Sequence, residues 1–428
     1  MHFFKTILAK PLFKATSLNA VSVALKIAIG LVTSKIIAIF VGPSGMALTG
    51  NLRNFMASLE TVGTLGFQNG IVKYTAENKG NDTELKKILS TIFISLAAVA
   101  FVLSGLLFFL ADFWNDTVFG KANGYAVLFK VLAAAMPWYI ASLILISVIN
   151  GFGRFREVVY VNIIGNIMGL ILSVILIWQF HTFGALLSII ISPAAMFFAA
   201  IGFMPKEFQV WKYLDRKVFS LKIVKKLSSF SLMALVSAVI SPLVFVVIRN
   251  HIIAVSGIAN AGYWEAISRI SGFYMLFIAT IVSVYYLPKL ASAKTDGDTR
   301  YTIFSYWKYI IPLFSVGLIV LYFLRHFAIN IILTKAFQPV ESLFFWQLAG
   351  DLLKAFTVIL GYALVAKRYT VAFIVTEFIS MGIMYFGTGL FVAKYGIEGV
   401  VMAHFLTYVV YAAILLVFFR KVLFRTAN

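Results

Sequence analysis

The chain has no cysteine, so disulfides, thiolate nucleophiles and cysteine metal ligands are excluded. Charge is scarce as well. Asp, Glu, Lys and Arg make up 12% of the 428 residues, against about 25% in a soluble domain. Acidic residues are the scarcer sign, 16 against 36 Lys and Arg. There is no G-x-x-x-x-G-K-[ST] phosphate loop, no H-E-x-x-H and no G-x-S-x-G. ATP binding through such a loop, zinc-protease chemistry and nucleophile-elbow chemistry therefore have no motif to carry them. The five histidines, His2, His181, His251, His326 and His404, are scattered without ligand spacing.

What is present is apolar sequence. Hydrophobic residues are 61% of the chain and mean hydropathy is +0.96, which marks an all-α integral membrane protein. Spans of about 20 residues are predicted at 16–41, 46–72, 86–111, 125–150, 157–180, 183–204, 227–249, 257–287, 301–324, 341–366, 369–393 and 397–419. The apolar segment 326–336 is too short to cross. No connection is long enough to fold as a catalytic domain, and no nucleophile, base and orienting group assemble in the sequence, so a transporter is expected rather than an enzyme. No cofactor is implied. The first apolar run leads straight into more membrane, so it reads as an uncleaved first helix.

The basic residues are interleaved with the spans, so the net charge of +20 reflects topology rather than nucleic-acid binding. Alternate connections, starting with the N-terminus, hold 24 Lys and Arg; the opposite side holds Lys121, Arg249, Arg325, Lys335 and Lys394. That bias places both termini and the central loop in the cytoplasm. The chain divides into two six-helix lobes, 1–204 and 227–428, joined by a basic linker, 205–226. Both lobes enter from the same side. The expected architecture is two pseudo-symmetric bundles with a polar cavity between them.

Ionisable residues inside spans are costly, about 2.5–3.5 kcal/mol each on insertion scales, and persist only against protein or water. Lys26 lies mid-span in VSVALKIAIGLV. Lys35, Lys130 and Lys308 sit near span ends and can snorkel. Arg53 and Glu60 are seven apart, so they share one helix face, with Asn51 close by. Glu265 and Arg269 are one turn apart and are expected to pair. Asp351 and Lys354 form an i,i+3 pair, with Gln347 on a neighbouring face. Glu377 has no basic partner on its own helix. Each of these groups has a bland reading, a structural ion pair or a hydrogen-bonded neutral acid, beside the sharper one of a wall along a polar pathway. Pro193, Pro242 and Pro312 fall within spans and can bend them.

Several stretches resemble one transporter family. They are ALKIAIGL with Lys26, SKIIAIFVGPSGMALTGNLRNF with Lys35, Gly42, Pro43, Asn51 and Arg53, and NGIVKYTAE with Gly70, Lys73 and Tyr74. The second half adds SLMALVSAV, Arg249-Asn250, SVYYLPKL, LFFWQLAGDLLK and GYALVAKRY. Their order and spacing resemble the Wzx-type flippases of bacterial surface polysaccharide assembly, in the polysaccharide branch of the multidrug/oligosaccharidyl-lipid/polysaccharide exporter superfamily. The resemblance implies twelve helices in two lobes and a bacterial inner-membrane location. The implied cargo is an undecaprenyl-diphosphate-linked oligosaccharide, moved to the periplasmic leaflet by alternating access coupled to protons or sodium. It also implies a polymerase and a chain-length regulator as partners in the pathway. On this reading Lys26, Asn51, Arg53, Arg249 and Arg269 hold substrate, and Glu60, Glu265, Asp351, Lys354 and Glu377 serve ion coupling. Two rivals are a cation-coupled multidrug exporter of the same superfamily and a membrane-embedded polymerase or glycosyltransferase. The basic excess among the buried groups opposes the first, and the absence of a long catalytic loop opposes the second.

Overall fold

A computed structural model describes residues 11–204, 213, 215–228 and 232–424, with side chains from residue 21. Lys5, Lys10, Lys206, Lys212, Arg425 and the linker residues 205–212 and 214 lie outside the described residues. No strand occurs among the described residues. Ten helices there are long and apolar enough to cross a membrane. One of the ten, Phe155–Gly202, is two spans: at His181 the backbone leaves the helix (φ 50, ψ −121) and the chain doubles back. The hairpin is tight because Gly184 has no Cβ; an added one would lie 1.8 Å from the Leu176 carbonyl oxygen. Gly42–Gly63 is a further helix of 22 residues whose polar content keeps it off the hydropathy count. Ten, plus one from the His181 turn and one from Gly42–Gly63, gives the twelve expected.

The elements that matter below are α1 (Pro11–Phe40), α2 (Gly42–Gly63), α3 (Gln68–Glu77), α4 (Asp82–Phe109), α5 (Ala111–Val118), α6 (Ala126–Gly151) and α7 (Phe155–Gly202). They are followed by α8 (Leu221–Ser228), α9 (Leu232–Ser256), α10 (Ile258–Ile281), α11 (Asp296–Phe323), α12 (Arg325–Ile332), α13 (Phe344–Ala366), α14 (Thr370–Tyr395) and α15 (Glu398–Phe418). The predicted span 46–72 is corrected. It ends at Gly63, and a turn with Leu65 and Gly66 at positive φ leads into the short, separate α3. Apolar periodicity ran through this turn unbroken, which is why the sequence read as one helix. The predicted end at 249 is corrected too, because α9 continues to Ser256. Segment 326–336 does not span: it holds the eight-residue α12 and the start of a 3-10 helix, Lys335–Leu343.

Local chemistry sets many boundaries. Asn81 caps α4 by accepting from the Glu84 amide. Thr295 and Asp298 form a reciprocal capping box at the start of α11, which satisfies two amides that the helix cannot. Gly42, at φ +71, interrupts the helix between α1 and α2, and Pro43 then occupies the first turn, where its missing N–H costs nothing. After α10, Val282–Tyr286 forms a π turn that ends two residues before Pro288. A proline cannot donate to the preceding turn, and such bulges are one way a helix absorbs it.

Packing divides the chain into two compact units. One comprises 1–41 and 51–242; the other comprises 42–50 and 243–428. In the first, Leu145, Ile149, Val161, Ala199 and Ala200 form a buried cluster where α6 meets α7. Toward the central loop, Lys86 binds Asp215 at 2.9 Å, and its hydrogen bond is the largest influence holding the Asp215 carboxyl below the usual range. Ser90 donates to the Tyr213 carbonyl and Leu227 of α8 packs where Gly70 lacks a Cβ. In the second unit the core runs through Tyr286, Tyr306, Ile359, Leu364 and Leu415. Its aromatic members also bind polar backbone: Tyr306 donates to the Ala355 carbonyl, and Trp307 donates to that of Phe356 while stacking on its ring.

Candidate functional site

Ionisable side chains collect in three places, and each is built differently. The first is an ion triad in the second unit. Arg249 of α9 donates to Glu265 Oε2 at 2.7 Å, and Arg269, one turn beyond Glu265 on α10, donates to Oε1 at 3.0 Å. Arg269 also reaches Thr49 Oγ1 at 3.3 Å, and the Arg249 guanidinium lies 5.0 Å from the Trp264 ring centre. The three are 2%, 5% and 7% exposed. This burial requires a glycine. A Cβ on Gly50 would lie 2.3 Å from Glu265 Oε2 and 3.0 Å from the Arg249 guanidinium carbon. The expected Glu265–Arg269 pair is present, but Arg249 was not expected to share it. Both arginines are engaged by the same carboxylate.

The second place is in the first unit. Glu60 accepts from the Tyr139 hydroxyl at 2.6 Å and lies 3.4 Å from Gln68 Nε2. Arg53, two turns earlier on the same helix, is exposed while Glu60 is half-buried, so the shared face does not bring them into one contact. Asn51 is fully buried and donates to the Val118 carbonyl at 2.6 Å. It secures the end of α5. Lys26 is exposed in the middle of α1. Replacing Tyr139 with phenylalanine should lower stability by about 1.5 kcal/mol, the lower end for a hydrogen bond to a charged group. Unfolding in mixed detergent would read this out; a loss below about 0.5 kcal/mol would show that Glu60 is anchored by other groups.

The third place is again in the second unit. Asp351 of α13 is 0% exposed. Its Oδ2 accepts from Ser271 at 2.6 Å and from Tyr274, both on α10, and from Gln347 at 3.1 Å. Its Oδ1 meets His404 Nε2 of α15 at 3.0 Å. The predicted contact pair with Lys354 is therefore corrected. Its four partners already take up both carboxylate oxygens, and no ion pair with Lys354 occurs among the described residues. Lys354 instead lies with its ammonium 5.7 Å from the Tyr408 ring centre, and Asp351 and Glu377 act on it through their fields. Glu377, lacking a basic partner on its own helix, thus gains one across the bundle. His404 fits because α13 has no side chain opposite it: a Cβ on Gly350 would lie 2.4 Å from the imidazole. Tyr139, Tyr274, His404 and Tyr408 carried no sequence signal. Each is a lone polar group on an apolar face, and only packing supplies its partner.

The arrangement resembles known membrane transporters. Residues 12–293 match the family model described as polysaccharide biosynthesis protein. Over 408 residues the chain is 28% identical to the lipid III flippase of Escherichia coli (strain K12), covering 94% of this chain and 96% of that protein. An inward-facing multidrug resistance transporter of the MATE family in the MOP superfamily superposes with a TM-score of 0.78, at 13% identity and 92% and 94% coverage. The lipid II flippase MurJ in an inward closed conformation gives 0.73, at 17% identity and 95% and 87% coverage. At those identities the two structures establish a shared fold.

Proposed function

Because the chain belongs to the polysaccharide biosynthesis protein family, we propose that it is a flippase. Its cargo on this reading is an oligosaccharide repeat unit linked to undecaprenyl diphosphate, moved from the cytoplasmic to the periplasmic leaflet of a bacterial inner membrane. The termini face the cytoplasm, in keeping with the basic bias of the connections. Transport proceeds by alternating access coupled to protons or sodium. The product supplies O-antigen or a related surface polysaccharide, alongside a polymerase and a chain-length regulator.

One observation carries the reading: Lys26 is exposed at the middle of a membrane-spanning helix. A cation against hydrocarbon costs several kcal/mol, and a polar pathway beside Lys26 would remove that cost. Arg53, also exposed in the same unit, supplies a planar donor suited to phosphate oxygens. A cargo with a diphosphate and a hydrated glycan needs cations in water, whereas a pump for cationic drugs needs acids. Arg249 and Arg269 are taken up by Glu265 and serve the fold.

Cells lacking the protein should accumulate the lipid-linked repeat on the cytoplasmic face and lose the polymer. Lys26→Ala combined with Arg53→Ala should lower complementation about tenfold or more at normal membrane levels, since charge-assisted contacts are worth about 1.5–3 kcal/mol each. Unchanged leaflet distribution in the deletion strain would exclude the flippase. Loss of long chains with single repeats still displayed would favour a polymerase.

A further inference from the structure

A basic stretch, residues 215–228, lies against the first unit, and the flippase reading gives it no role. We infer that this stretch is a binding surface for the headgroups of anionic phospholipids in the cytoplasmic leaflet. The orientation proposed above names the leaflet; the cargo does not enter.

The stretch is pinned to α4 and α3. Lys86 binds Asp215 at 2.9 Å, and the Asp215 amide donates to Ser90 Oγ at 3.1 Å. The Ser220 amide donates to Thr91 Oγ1 at 3.1 Å. Farther on, Leu227 is 0% exposed and fills the space that Gly70 of α3 leaves open. The anchors on α4 all lie in its first three turns. That helix has 28 residues and can cross a membrane. At 1.5 Å per residue it is about 42 Å long, the thickness of a bilayer with its headgroups. Its first turns, and the stretch bound to them, are therefore at headgroup level.

Pinning also fixes the face that looks outward. On α8, Leu227 is buried and Ile223 and Val224 are half-buried. Lys222, Lys225 and Lys226, spaced i, i+3 and i+4, share the opposite face, and all three are exposed. Leu221, one turn before Lys225, is 74% exposed, and Phe219 is 39% exposed. Arg216 and Lys217 are exposed in the preceding 3-10 turn. The one acid of the stretch, Asp215, is turned to Lys86, and Glu77 of α3 lies 3.8 Å from Lys73.

Five cations and two apolar side chains on one fixed surface suit one kind of partner. Exposed Phe219 and Leu221 gain by leaving water for the acyl boundary. Lysine stems can lie along that boundary while their ammonium groups reach lipid phosphates. Clusters of four or more Lys and Arg beside a spanning helix are drawn to an anionic leaflet. A soluble acidic partner would meet the cations but offers no apolar boundary to Leu221.

The chain has no cysteine, so one introduced thiol carries a unique label. Ser228, exposed and seven residues after Leu221, lies two turns along the same face. The full chain with Ser228→Cys, labelled with acrylodan, is placed in nanodiscs of phosphatidylcholine alone or of two parts phosphatidylcholine to one part phosphatidylglycerol. In the anionic discs emission should shift to the blue, and quenching by neutral acrylamide should fall about twofold or more. Salt at about 1 M, where the screening length is about 3 Å, should reverse most of that change. Arg216→Gln, Lys217→Gln, Lys222→Gln and Lys225→Gln together should abolish it, with the anchors Lys86, Asp215 and Leu227 left in place. A label at Thr83→Cys, exposed between Asp82 and Glu84 at the start of α4, should respond far less. Equal quenching in the two lipids, a change that salt or the four substitutions leave intact, or an equal change at position 83 would overturn the inference. The lipid and salt comparisons use one protein, so they decide even if the fourfold variant misfolds. No cargo is present: a chain that moves no lipid-linked oligosaccharide would end the flippase reading and leave this result standing.

Discussion

Replacing Glu265 with alanine should remove most folded protein from the membrane. The change leaves Arg249 and Arg269, 2% and 7% exposed, buried beside each other without their shared carboxylate. Breaking a buried ion pair from one side costs about 3–5 kcal/mol, because the remaining charge is uncompensated. Here two cations are stranded by one substitution. Whole-domain stabilities are about 5–15 kcal/mol, so the loss is a large share of the total. Glu265→Gln keeps the shape and an acceptor oxygen and should cost less. Arg269→Met, which leaves the Arg249–Glu265 contact intact, should also be milder than Glu265→Ala. Thermal stability in detergent, followed by gel filtration, ranks the variants. An alanine variant as stable as wild type would show that the triad contributes no net energy to the fold.

Gly262→Ala should be nearly as damaging, for a steric reason. A Cβ at Gly262 would lie 1.9 Å from the Pro43 carbonyl oxygen and 2.5 Å from its carbon. Both are backbone atoms, so no side-chain rotation can make room. The first turn of α2 would have to move away from α10, and the Arg269–Thr49 contact and the seat of Glu265 on Gly50 would open with it. Overpacking costs about 1–3 kcal/mol in well-packed cores, and the coupled loss of the triad places this case at the upper end. Gly272, on the same helix, has nothing within 4 Å of an added Cβ. Gly272→Ala should therefore be neutral or slightly stabilising, since alanine suits a helix interior better by up to about 1 kcal/mol. Equal effects at 262 and 272 would mean that helix propensity, not close approach, sets the cost.

The two results would describe one device. Residues 42–50 pack with the second unit although the rest of α2 packs with the first. Two glycines, one on each helix, permit that approach, and the triad supplies polar partners where the backbones meet. Small residues at helix contacts let backbones come close in membranes, where apolar side chains gain nothing over lipid.

The membrane class, the number of spans and the places of nearly all of them were settled by hydropathy along the chain. A helix in hydrocarbon satisfies its own backbone, so its existence depends on local sequence alone. The Glu265–Arg269 pair was legible for the same reason, since one helical turn fixes which side chains can meet. The turn at Thr64–Phe67 was not, because the apolar pattern is continuous on both sides of it. Partners from different helices were not legible either. Arg249 joining Glu265, Tyr139 binding Glu60, and His404 displacing Lys354 from Asp351 all depend on which faces the bundle turns inward. The sequence by itself thus determined that this chain crosses a membrane about twelve times and carries buried charge through it. Only the tertiary structure decided which of those charges neutralise one another, because contacts between helices are set by packing and not by spacing along any one of them.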